Sequence, residues 1–268
     1  MAHPVVSALP AIVLGFGMMM PAMDVAAESA SDLPANCLDA PFTTAATESQ
    51  ARIRAIAAGL KPALLDFPSL RSVLEADGMR ICLSTDLVTE RAYYDVETGR
   101  IVLAASMPQD LSRLVLVHEL RHAEQLSRGI CPSQSLAMKD YARGVLALEA
   151  DANVVAALVA WNWKAEGNDA LWRALESWPM VADIAARFQN VLTESGDVAS
   201  AASAAFEQWY TSEKRVELYY VNTCSHYLDR QDEAHALPGK LQLAGDYLQH
   251  LCILPDGRGY DCVDAIRE

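Results

Sequence analysis

His118-Glu119-Leu120-Arg121-His122 constrains the fold of this chain more than any other stretch. Two imidazoles four positions apart can address a common point only from a helix, where about 100° per residue brings i and i+4 to within about 40° of each other. Glu119 stands beside that point. Leu111, Leu114, Val115, Leu116 and Val117 lead into the pentapeptide, an apolar approach that implies a mostly buried helix. Ser106-Met107-Pro108-Gln109 has the form of a capping box with proline in the first turn, and Gly129 and Pro132 follow an expected end near Ser127. Arg121 falls about 60° from His118, at the edge of the same face, where it could turn to solvent or to a substrate.

Polar groups on a buried helix must be satisfied, and one metal ion would satisfy both histidines. His118 and His122 would be ligands and Glu119 a general base for a water activated on the ion, in the H-E-x-x-H arrangement. The plainer alternative is a surface helix that happens to carry these residues. A catalytic zinc needs a third protein ligand. His3 lies in the leader, and His226, His235 and His250 are distant in sequence. Leu136 to Trp163 is rich in Ala, Leu and Val and contains no proline, so it reads as a long buried helix. Glu149 in that helix is the favoured third ligand and Asp151 its competitor. The two lie about 200° apart, so both cannot face one ion. Asn153, about 40° from Glu149, is placed to orient a ligand.

His118-Glu119-x-x-His122 followed by an acidic residue on the next helix resembles the gluzincin metallopeptidases. More narrowly, Leu116-Val117-His118-Glu119-Leu120-Arg121-His122-Ala123-Glu124-Gln125 with Glu149-Ala150-Asp151-Ala152 resembles bacterial metallopeptidases of a domain of unknown function. The resemblance spans about residues 79–156. It implies glutamate as third ligand, a small sheet beside the active-site helix, and peptide hydrolysis. Gluzincins carry an aspartate four residues after that glutamate, where this chain has Asn153.

The remaining pattern fits an α+β class with a helical majority: a zincin-like fold with a small sheet or hairpin beside the motif helix. Gly78–Ser84 alternates like a strand, and Arg91–Val96 and Arg100–Ala105 flank a Glu97-Thr98-Gly99 turn. Helices are expected over Gln50–Gly59, Ser69–Asp77, Asp169–Leu192 with a break at Pro179, Ala199–Asp229 and Leu241–Cys252. Residues 28–268 are expected to form one domain, a zincin core over about 50–165 with a helical part over about 168–268.

Residues 4–22 are apolar and Val25-Ala26-Ala27 offers a small-residue cleavage site, so residues 1–27 read as a signal peptide, with a retained anchor as the alternative. After leader removal no further stretch is expected to span a membrane. Six cysteines, Cys37, Cys82, Cys131, Cys224, Cys252 and Cys262, follow the leader; an even count in an exported chain suggests three disulfides, with Cys131 anchoring the end of the motif helix. The alternative is free buried thiols. A periplasmic or secreted location follows from the first reading. A net charge of −14 argues against nucleic acid as a partner.

Arg215, Tyr219, Asn222 and His226 recur at helical spacing as a polar stripe. Tyr219 and His226 are candidates to donate to the oxyanion of an attacked carbonyl, against the plainer reading of a solvated face. The expectation is therefore a Zn2+-dependent metallopeptidase acting on a peptide or protein. The open alternatives are hydrolysis of a non-peptide amide and a catalytically silent, disulfide-held binding protein.

Overall fold

A computed structural model describes residues 12–14, 33–88 and 91–263. The expected cleavage site at Val25–Ala27 lies outside them.

The fold is α+β and mostly helical. Five strands form one sheet in the order β1-β4-β5-β3-β2, with β1 Ile12–Leu14, β2 Cys37–Asp39, β3 Arg80–Ser84, β4 Ala92–Asp95 and β5 Arg100–Ala104. β3 runs parallel to β5 and the other pairs are antiparallel. The hairpin joining β4 to β5 turns where expected. The Asp95 carboxylate accepts the N–H groups of Glu97 and Thr98, and Gly99 supplies a φ of 65° that a side chain would resist. β1, from the apolar leader, pairs along β4 with Ile12 opposite Tyr94.

Helices α1 (Glu48–Leu60) and α2 (Pro68–Leu74) precede β3. Thr47 caps α1 by accepting the N–H of Gln50, and Ile53, Ile56, Ala57 and Leu60 form its buried stripe. The motif helix α3 spans Gln109–Ser127 and packs against α1, α2, β4 and β5. Its start differs from the capping-box expectation. Pro108 is the N-cap and no side chain caps the helix, so Ser106 lies outside it. The Pro108 carbonyl accepts both the N–H and the hydroxyl of Ser112 instead. Gly129 ends the helix in the left-handed region at φ 70°.

Helix α4, Met138–Ala165, is the axis of the molecule and packs against α3, α5, α6, α7, α8 and α9. The expectation that only the leader could cross a membrane is corrected here. By length and a mean hydropathy of 1.5, α4 passes the same test, yet 94% of that window is buried inside the protein. A helix surrounded by other helices is apolar on every side. Around it stand α5 (Ala170–Glu176), α6 (Ala182–Ser195), α7 (Val198–Tyr210), α8 (Glu213–Glu233) and α9 (Tyr247–Leu251).

Two helical expectations change. The continuous helix over Ala199–Asp229 is broken, because Ser212 caps a new helix by accepting the N–H of Arg215. The last helix shortens to Tyr247–Leu251, since Gly239–Leu243 runs extended along Ser133–Ala137, with Ala137 N–H donating to the Leu241 carbonyl and Leu241 N–H to that of Ser135.

Four of the six cysteines form two disulfides, Cys37–Cys82 across the β2–β3 pair and Cys252–Cys262 near the C-terminus. Cys131 and Cys224 are free, so Cys131 does not anchor the end of α3.

Candidate metal centre

α3 and α4 pack so that His118, His122 and Glu149 present one ligand atom each within 4.8 Å of one another, all three buried. The Nε2 atoms of His118 and His122 lie 3.0 Å apart. Glu149 Oε2 is 3.3 Å from His118 Nε2, and Oε1 is 3.3 Å from His122 Nε2. These are ion-pair separations that do not meet hydrogen-bond geometry, and both oxygens of Glu149 are buried without a hydrogen-bond partner. A fully buried carboxylate so placed is costly unless a cation satisfies it. Two imidazole nitrogens and one carboxylate converging on a point are a donor set suited to zinc, and this convergence is the fit that a metal requires.

The electrostatics express the same frustration. Burial holds His118 below the usual imidazole value despite Glu149 beside it. At His122 burial also opposes the charge, but Glu149, Glu119 and Gln125 outweigh it and lift the ring to about 9. Burial works against charge on Glu149 as well; the two histidines overcome it and pull the carboxyl to about 2. The shifts share one cause: three groups that burial would each keep neutral are held against one another, which is where a cation would be favoured.

Glu119 is buried beside this group. Burial pushes its carboxyl up to about 8, with the charge of His122 opposing, that of Glu149 adding, and a hydrogen bond from the backbone N–H of Tyr94 on β4 holding it down. Its Oε2 has no hydrogen-bond partner.

The support behind His122 is not read from the sequence, where Asp151 is weighed only as a rival ligand. Gln125, one turn on, faces its Oε1 to His122 Nδ1 at 2.8 Å. Its amide nitrogen donates to Asp151 Oδ2 at 2.7 Å and to the Leu148 carbonyl at 3.1 Å. With the amide so oriented, His122 carries its proton on Nδ1 when neutral and keeps the Nε2 lone pair directed at Glu149 and His118. Asp151 is on the far side of the ring. It accepts Arg121 Nε at 2.6 Å, Arg121 Nη2 at 3.0 Å and the Tyr260 hydroxyl at 2.6 Å. Asp151 is therefore turned away from the ligand cluster.

Arg121 departs from expectation. It is completely buried, pointing to neither solvent nor substrate, and also donates to Glu124 and to the Leu251 and Ile253 carbonyls. Asn153 differs too. Its amide donates to the Glu149 main-chain carbonyl, so it does not orient the carboxylate.

A partly open cavity adjoins the cluster, lined by Arg91, His118, Glu119, Asn153, Trp178 and Tyr219 among others. The polar stripe of α8 divides here. Tyr219 reaches the cavity, and burial together with the charges of Glu149 and Glu119 raises its phenol well above the ordinary value, so it remains a hydroxyl donor. His226, about two turns further on, is exposed and does not line the cavity.

No curated protein and no solved structure matches the chain. Residues 25–262 match the family described as "Putative metallopeptidase family (DUF6782)". That span covers strands β2 to β5, both ligand-bearing helices and the helices that close the cavity, and the chain belongs to this family of hydrolases.

Proposed function

We propose that the protein is a zinc-dependent peptidase whose ion is held by His118, His122 and Glu149. The observation that carries this reading is the buried, unsatisfied Glu149 carboxylate converging with two imidazoles beside Glu119 in a cavity. Zinc bound there would lower the pKa of a water to about 7 and polarise a substrate carbonyl. Glu119, buried beside the ligand cluster at the cavity, accepts the proton of the attacking water and returns it to the leaving amine. The Tyr219 hydroxyl, kept protonated, donates to the oxygen that gains charge on the attacked carbonyl. Gln125 and Asp151 hold the His122 ring in its working tautomer. The substrate on this reading is a peptide or protein. The two disulfides support residence in an oxidising space, periplasmic or extracellular.

Glu119→Gln tests the proposal, because Glu119 is placed as base and not as ligand. The variant should retain about one zinc per chain while kcat falls by roughly two orders of magnitude or more on a peptide library. Equal cleavage by both proteins would remove the motif from the chemistry. Zinc-loaded wild type that cleaves no peptide would leave a metal-holding binding protein.

A further inference from the structure

Two cations line the cavity beside Glu119, and they differ in what they have left to offer. Arg215 is spent. Its Nε donates to the Trp209 carbonyl, Nη1 to the Met180 carbonyl and Asp183 Oδ1, and Nη2 to Asp183 Oδ2 and the Gln208 carbonyl. All five guanidinium N–H groups are engaged. Arg91 is half-buried at the mouth of β4 and has no carboxylate partner among the described residues. Its Cζ lies 5.0 Å from the centroid of the Trp178 ring, which lines the same cavity. A guanidinium stacked on an aromatic face keeps its in-plane fork of donors free, and that fork matches a carboxylate.

We infer that Arg91 receives a carboxylate of the substrate, so that the protein selects peptides carrying a negative charge within a residue or two of the cleaved bond. The inference rests on the peptidase reading and adds its substrate class. Arg91 and Glu119 line the same cavity, Arg91 from the start of β4 and Glu119 from α3. A charge gripped there lies close to the attacked carbonyl. Partial desolvation of Arg91 lowers its pKa, and an arriving carboxylate would offset that cost. The net charge of −14 does not oppose this choice, since surface charges more than about 8 Å away are largely screened at physiological salt.

The test compares kcat/KM of wild type, Arg91→Gln and Arg91→Lys on three matched peptide series. One series carries Asp or Glu beside the cleaved bond, one places a free C-terminal carboxylate there, and one is neutral and amidated. Arg91→Gln should lose roughly tenfold or more on a carboxylate-bearing series, mainly through KM, and stay within about twofold on the neutral one. Arg91→Lys should recover part of the loss, keeping the charge without the fork. The series that responds identifies the source as an acidic side chain or a chain terminus. A parallel loss on all three, or none on either charged series, overturns the inference. If wild type cleaves nothing, the peptidase reading fails separately, and acetate titrated into zinc-free protein still decides the matter for Arg91. Its Nε–H resonance should shift on titration; an unmoved resonance sinks the inference.

Discussion

Glu149 and Asp151 are two positions apart on α4 and leave the helix on opposite sides, one toward the imidazoles and one toward Arg121, Gln125 and Tyr260. Removing each should therefore weaken zinc binding by different routes. Glu149→Ala deletes a ligand and should raise the zinc Kd by several orders of magnitude. Asp151→Ala acts through Gln125 and His122, for which about 10- to 100-fold is the usual size. Calorimetry or competition with a chelator reads both, and the reverse ranking would move the ligand to Asp151. The helical angle that separates these two carboxylates is readable in the sequence because it depends only on residues close along one helix. The Gln125–Asp151 link is not, because it joins residues on different helices and depends on how α3 docks against α4. His226 shows the same limit. A stripe at helical spacing says which residues share a face, and only the position of α8 decides that Tyr219 meets the cavity while His226 meets solvent.

At the scale of elements, α3 and α4 were legible because burial on one long helix and ligand spacing on another leave strong local patterns. The junctions were not. Ser212 interrupts one predicted helix through a single cap, and the strap after Tyr227 is held by contacts far away in sequence, such as the Tyr227 hydroxyl donating to the Leu136 carbonyl and accepting the Gly239 N–H. Gly239 itself is forced by that approach, since a Cβ would come within 2.3 Å of the Ser135 backbone. Arg121 is the residue that ties such elements together, linking α3 to α4 through Asp151 and to the C-terminal segment through the Leu251 and Ile253 carbonyls. Arg121→Ala would leave Asp151 buried without its counter-charge and would take a donor from Glu124 and from the Ile253 carbonyl. The expected cost is about 3–5 kcal/mol of stability, read as a lower denaturant midpoint. Restoring bulk without charge, as in Arg121→Met, should recover little while Asp151 remains. A change under about 1 kcal/mol in both would show that the cluster does not bear on stability.

Across the whole molecule, the two disulfides close very different loops. Cys37–Cys82 spans 45 residues and ties the outer strand β2 to β3, whereas Cys252–Cys262 spans 10 and clamps the segment whose Tyr260, Leu251 and Ile253 cover the Arg121–Asp151 pair. Loop entropy assigns roughly 4 kcal/mol to the first and about 2.5–3 kcal/mol to the second. An even count of cysteines suggested complete pairing, but pairing is decided by which segments the fold brings together, and Cys131 and Cys224 remain unpaired. Both are partly buried in the native state. Burial pushes Cys131 up to about 12 and raises Cys224 as well, which keeps both in the unreactive thiol form. Thiol titration of native, unreduced protein should accordingly be slow and incomplete. In denaturant without reductant it should reach two groups per chain, and after reduction six. Labelling before digestion should place the first two on Cys131 and Cys224. A count of zero in denaturant would mean a third bridge, and six would mean that neither disulfide forms and that the case for an oxidising compartment fails.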